Sequence, residues 1–144
     1  MNFLGPALAI LLMGQWAGPV RADEPKLAGP GVAEDYALHC SACHTAEGGG
    51  SPGLVPSLRE LAPLLALPGG REYLVRVPGV AQAPLSPDRI ARLLNWVLAQ
   101  YSGLAVEPRY SAEEVEALRI SPLRDPIGFR AALVAASGIS STAH

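Results

Sequence analysis

The chain has 144 residues, of which 49% are hydrophobic, and a formal net charge of −2 at neutral pH. A chain of this length can form a single small domain. Its mildly acidic balance, with Lys26 as the only lysine, provides neither the basic patch that nucleic acid requires nor a lysine-rich docking face. We therefore expect no nucleic-acid partner.

The N-terminus has the pattern of an export signal. An apolar segment at residues 3–16 precedes Val20-Arg21-Ala22, which has the small-residue form of a signal-peptidase site. The segment is shorter than the roughly 20 residues that a membrane-spanning helix needs. We predict a signal peptide over residues 1–22, cleaved after Ala22, which would take the net charge to −3 by removing Arg21. Since no Lys or Arg precedes Arg21, an uncleaved membrane anchor stays open as an alternative.

A first helix is predicted after a polar lead-in at residues 23–30. It should run from about Val32 into the segment around Cys40. Tyr36 lies four residues before Cys40, so both side chains should share one helix face, with the aromatic ring against the core. Residues 48–53 are rich in glycine and cannot hold a helix, so we expect a loop there.

Two short helices are predicted next. Leucines recur at helical spacing over residues 58–65, but Pro63 interrupts the turn, which indicates a short and irregular helix. A second brief helix over residues 71–77 should stop before Pro78.

The clearest helix begins with Ser86 as the N-cap and Pro87 at the first helical position, and it ends at Gly103. We expect its apolar face to pack against the first helix. That face carries Ile90, Leu93, Leu94, Val97 and Tyr101, with Trp96 on its flank.

Two further helices are predicted near the C-terminus. Residues 111–114 have the sequence of a capping box, and Tyr110 and Val115 occupy the positions of a hydrophobic staple. Asp125 and Pro126 then begin a last apolar helix.

The pattern as a whole predicts an all-α fold, with no internal repeat and no strongly indicated strand. We divide the chain into a signal peptide (1–22), a main domain (23–103) and a C-terminal helical extension packed on the same domain (104–144). The task of this extension is left open by the sequence.

The pentapeptide Cys40-Ser41-Ala42-Cys43-His44 contains the candidate cofactor-binding residues. Cys-x-x-Cys-His is the spacing at which two thiols can bond to one haem while the adjacent imidazole ligates its iron. The same five residues have three other interpretations. A thioredoxin-type redox pair needs a βαβ context that is missing from this sequence. A structural zinc site needs four ligands, whereas this chain offers two thiols and few histidines. The third interpretation is a chance occurrence of the motif.

The chain resembles the class I monohaem cytochrome c family over residues 32–101. The resemblance depends on the haem motif together with an ordered set of flanking residues: Tyr36, the segments 55–58, 70–74 and 85–86, and Asn95-Trp96-Val97. It implies a small cytochrome c fold of three to five helices around one covalent haem c, to which this chain adds C-terminal helices.

By the same resemblance, Cys40 and Cys43 would form the thioether bonds and His44 would be the proximal axial ligand. The carbonyl of Pro56, with Pro52 as a weaker candidate, would accept a hydrogen bond from the other ring nitrogen of His44. Trp96 and Tyr36 would meet where the first and last core helices of the family cross.

The expected distal ligand is missing. Most relatives supply a methionine before a proline, but Met1 and Met13 both lie in the predicted leader, and Val77 precedes Pro78 at the corresponding position. Gln82 is the only residue of the following loop with a side-chain donor, and an amide oxygen is a weak ligand for ferrous haem.

Three other side chains carry donor atoms of a kind that can ligate the distal side of the iron. His39 adjoins the haem motif and should not reach across the macrocycle. His144 could reach the iron only if the C-terminal segment folds over it, and Asn95 is an outside candidate. An open or water-bound iron is the remaining alternative.

The resemblance implies an exported, periplasmic electron carrier, not an enzyme, that exchanges single electrons with redox partner proteins such as a dehydrogenase, an oxidase or another cytochrome. A haem-based module that binds or senses small ligands such as CO or NO is the alternative. A peroxidase activity is less favoured, because only Arg76 or Gln82 offers a polar group near the iron.

Overall fold

The computed structural model describes residues 31–137. This part of the chain folds into eight α-helices and one 3₁₀ helix, and it forms no β-strand beyond an isolated bridge between Ser51 and Val55. The prediction of an all-α fold is confirmed. The elements are α1 (Val32–His39), α2 (Ser41–His44), the 3₁₀ helix Leu58–Glu60, α3 (Ala62–Leu65), α4 (Gly70–Arg76), α5 (Pro78–Ala81), α6 (Pro87–Ser102), α7 (Ala112–Arg119) and α8 (Pro126–Ala136).

Helix α6 is the centre of the fold. Ser86 caps its N-terminus by accepting a hydrogen bond from the Arg89 amide, and Gly103 ends the helix with a φ of 64°. Both predicted ends are confirmed, because each depends on local backbone chemistry. The predicted apolar face is buried at its four aliphatic positions, Ile90, Leu93, Leu94 and Val97.

The aromatic contact between α1 and α6 is also confirmed. The ring centroids of Tyr36 and Trp96 are 5.5 Å apart, and those of Tyr36 and Tyr101 are 5.0 Å apart. An ion pair supports the same contact, since Arg89 on α6 binds Asp35 on α1 through both carboxylate oxygens. Asp35 is only 3% exposed, so Arg89 supplies the opposite charge beside a buried carboxylate.

Two parts of the chain differ from the prediction. The first helix ends at His39, because Cys40 adopts a non-helical φ of −124°, and helix α2 begins after it. The prediction of a loop after Val77 is wrong for residues 78–81, because Pro78 begins the four-residue helix α5. Proline is favoured at a first helical position, so Pro78 both stops α4 from continuing and starts α5.

The C-terminal helices pack on α4 and α6. Ser111 caps α7 as predicted, but Glu114 does not complete the capping box, since its carboxylate binds Arg71 on α4 at 2.7 Å. The rings of Tyr73 on α4 and Phe129 on α8 stack with centroids 6.1 Å apart. Helix α8 begins at Asp125 and Pro126 as predicted, and the Asp125 carboxylate accepts a hydrogen bond from the Gly128 amide. Within residues 31–137, no helix is both long enough and apolar enough to cross a membrane.

Candidate functional site

The Cys-His motif forms a single tight turn at the end of α1. The amides of Cys43 and His44 both donate hydrogen bonds to the Cys40 carbonyl, at 3.2 and 2.9 Å. Both cysteines are free thiols; Cys40 is half-buried and Cys43 is exposed. The turn therefore brings both sulfurs and one imidazole into a single compact segment.

The imidazole of His44 is fixed by the Pro56 carbonyl. Its Nδ1 lies 3.1 Å from the carbonyl oxygen of Pro56, which is the contact that the resemblance implies. Burial lowers the pKa of His44, against a smaller opposing effect of this hydrogen bond, so the ring is mostly neutral at neutral pH. A carbonyl can only accept, so the proton lies on Nδ1 and the lone pair on Nε2 is left to bind a metal.

A glycine loop brings Pro56 to the imidazole. Gly50 has a φ of +69°, and its amide donates to the His44 carbonyl at 3.2 Å. A Cβ atom at this position would lie 2.3 Å from the Val55 carbonyl oxygen and 2.7 Å from that of Pro56. Only glycine permits this close approach, so the loop and the orientation of His44 depend on one another.

The backbone directly after His44 is strained. Thr45 has φ 60° and ψ 168°, a conformation that β-branched residues rarely adopt and that costs on the order of 1–3 kcal/mol. Two tyrosine hydroxyls hold it in place. Tyr36 donates to the Thr45 carbonyl at 2.6 Å, and Tyr101 donates to the Ala46 carbonyl at 2.9 Å.

These two hydroxyl contacts were missed by sequence reasoning, which assigned the tyrosines to core packing alone. Burial raises the pKa of Tyr36, so its hydroxyl keeps the proton that it donates. The signal available in the sequence was the choice of tyrosine over phenylalanine at both positions, since a buried hydroxyl needs a partner.

Cys40 lies in an environment that disfavours its thiolate. Burial, followed by the nearby Asp35 carboxylate, raises the pKa of Cys40 to about 11. A nucleophilic Cys-x-x-Cys cysteine needs a lowered pKa instead. The environment of Cys40 therefore disfavours the thiolate that disulfide exchange requires.

Val77, at the position where relatives supply methionine, and Gln82, in the loop that follows, differ in exposure. Val77 is half-buried and packs against the core between α4 and α5, whereas Gln82 is exposed at the C-terminal end of α5. Gln82 lines an open cavity of about 310 Å³ together with His39, Pro78, Gly79, Ala83 and Pro84. The cavity thus lies between the loop after α5 and the residue directly before Cys40.

Two other candidates have structural partners. The amide of Asn95 binds the backbone of Tyr110 through both its nitrogen and its oxygen, each at 3.0 Å. Arg76 pairs with Glu72 and donates to the Ser121 carbonyl. These bonds give both residues a role in tertiary structure. His144 and the predicted signal peptide lie outside the described residues.

Within residues 31–137, no three His, Cys, Asp or Glu side chains come together as a metal-binding group. The donors that the site offers are therefore the two thiols and the single imidazole of the turn. No protein-family model matches the chain, and no curated protein matches its sequence.

Proposed function

We propose that the protein is an exported c-type cytochrome that carries one covalent haem c and transfers single electrons between periplasmic redox partners. On this proposal the all-α fold is a small cytochrome c fold with additional C-terminal helices. The observation that carries it is the hydrogen bond from His44 to Pro56, because it fixes one tautomer of an imidazole that directly follows a Cys-x-x-Cys pair.

Each residue of the turn has a defined task in this proposal. Cys40 and Cys43 would hold the haem by two thioether bonds, and His44 would ligate its iron through Nε2. The Pro56 carbonyl keeps the imidazole in one orientation and raises its basicity. The bound haem supplies the redox chemistry, since its iron can accept and release one electron.

The proposal is tested by producing the full chain in a bacterium that attaches haem to exported proteins. Wild type should keep its haem through acid-acetone extraction and gain the mass of one haem. Cys43→Ala should lose stable double attachment. Ser41→Ala is the matched control, because it changes a residue between the cysteines and removes neither a thiol nor the imidazole, only the hydrogen bond that Ser41 donates to the Ala37 carbonyl. Unchanged haem retention in Cys43→Ala, or a wild-type protein without haem, would refute the assignment.

The second candidate function is a module that binds or senses small ligands such as CO or NO. Gln82 is the only residue in the segment 77–85 with a side-chain donor, and it is exposed. A solvent-exposed Gln82 that does not ligate the iron would leave the distal position open, which favours this second function. An open distal position would let CO bind the reduced protein at once, and in either function the lack of a thioether ligand should give a reduction potential below that of Met-ligated relatives.

A further inference from the structure

Arg119, the last residue of α7, holds the segment that follows α5. All three nitrogens of its guanidinium group donate to backbone carbonyls of this segment: Nε to Ala81 at 3.0 Å, Nη1 to Leu85 at 2.7 Å and Nη2 to Ala83 at 2.8 Å. A planar guanidinium can serve three acceptors at once, whereas an ammonium group cannot reproduce this fork.

The segment held in this way is one wall of the cavity described above. Gln82 and Ala83 line the cavity from the clamped segment, and His39 lines it from the end of α1. His39 is followed directly by Cys40, so the cavity borders the turn that carries the proposed haem attachment. The distance between the two walls therefore depends on where Arg119 holds residues 81–85.

We propose that Arg119 is a positioning residue that fixes residues 81–85 and so limits the access of small ligands to the proposed haem through this cavity. The access role rests on the proposed function, whereas the clamp itself does not. On this proposal the C-terminal helices have a task at the site, because α7 supplies the arginine.

Arg119→Met tests the proposal, since methionine keeps much of the apolar stem and removes all three donors. Arg71→Met is the matched control: Arg71 also binds α7, through Glu114, but donates to no carbonyl of residues 81–85. Arg119→Lys, which keeps the charge without the fork, should lie between wild type and Arg119→Met.

Two measurements distinguish the clamp on residues 81–85 from its proposed effect on access to the haem. Amide hydrogen exchange should accelerate at least about tenfold in peptides covering residues 80–85 of Arg119→Met, but not in those of α1 and α6. CO association with the reduced protein should accelerate severalfold in the same variant and stay at the wild-type rate in Arg71→Met.

Exchange at wild-type rates in Arg119→Met would overturn the clamp, whether or not haem is bound. Faster exchange with an unchanged CO rate would overturn the access role alone. A protein that never carries haem would overturn the proposed function and the access role with it, while the exchange experiment would still decide the clamp.

Discussion

Replacing Gly50 with alanine should damage the site more than the same change at Gly53. Both glycines lie in the left-handed region, with φ of 69° and 75°. Each alanine therefore adds a similar backbone cost of about 1–2 kcal/mol. A Cβ at Gly53 would meet no atom within 4 Å, whereas a Cβ at Gly50 would lie 2.3 Å from the Val55 carbonyl oxygen.

The overlap at Gly50 adds a second cost. The new methyl group would sit about 1 Å inside ordinary van der Waals contact, and overpacking of this kind costs about 1–3 kcal/mol. We therefore expect Gly50→Ala to lower the free energy of unfolding by about 2–5 kcal/mol in total, and Gly53→Ala by about 1–2 kcal/mol.

Relief of the overlap requires residue 50 and the carbonyls of residues 55 and 56 to move apart, and the Pro56 carbonyl is the one that binds His44. The assay is urea unfolding of both variants beside wild type, with the yield of haem-loaded protein and its reduction potential measured in parallel. Gly50→Ala should show a lower yield and a shifted potential, since the imidazole loses its fixed orientation. Equal stability and equal potential in the two variants would refute the dependence of His44 on this loop.

Three further experiments test the ion pair between α1 and α6, the hydrogen bonds of Asn95 and the environment of Cys40. Arg89→Met should clearly lower the urea midpoint, because it leaves a buried carboxylate without a partner, whereas Arg92→Met, from an exposed pair on the same helix, should leave the midpoint unchanged within error. Asn95→Ala should cost about 1–3 kcal/mol in urea unfolding without altering the haem spectrum, and an altered spectrum would contradict its structural role. In haem-free protein at pH 8, iodoacetamide should alkylate Cys40 about tenfold or more slowly than Cys43, as followed by peptide mass spectrometry; equal rates would contradict the protected environment of Cys40.

Features with a local cause were predictable from the sequence. Ser86 and Gly103 define the ends of α6 because a side-chain acceptor and a residue that tolerates positive φ act within one turn of the helix. The contact between Tyr36 and Trp96 followed from the family resemblance.

The differences arise where distant residues compete for local partners. Glu114 has the right spacing for a capping box, but Arg71 offers it two charge-assisted hydrogen bonds from another helix. Arg119 contacts carbonyls that lie between 34 and 38 positions earlier in the chain. No sequence pattern predicts a contact over this separation. The break at Cys40 likewise depends on the turn that surrounds it.

On the proposed function, Cys40, Cys43 and His44 hold one haem. The most direct measurement is the absorption spectrum of the purified full chain from a haem-attaching host, oxidised and dithionite-reduced, with and without CO, followed by the pyridine haemochrome. We expect the haemochrome of a haem with two thioether bonds, at one haem per chain. A colourless protein, or a haem that acid-acetone removes, would contradict it.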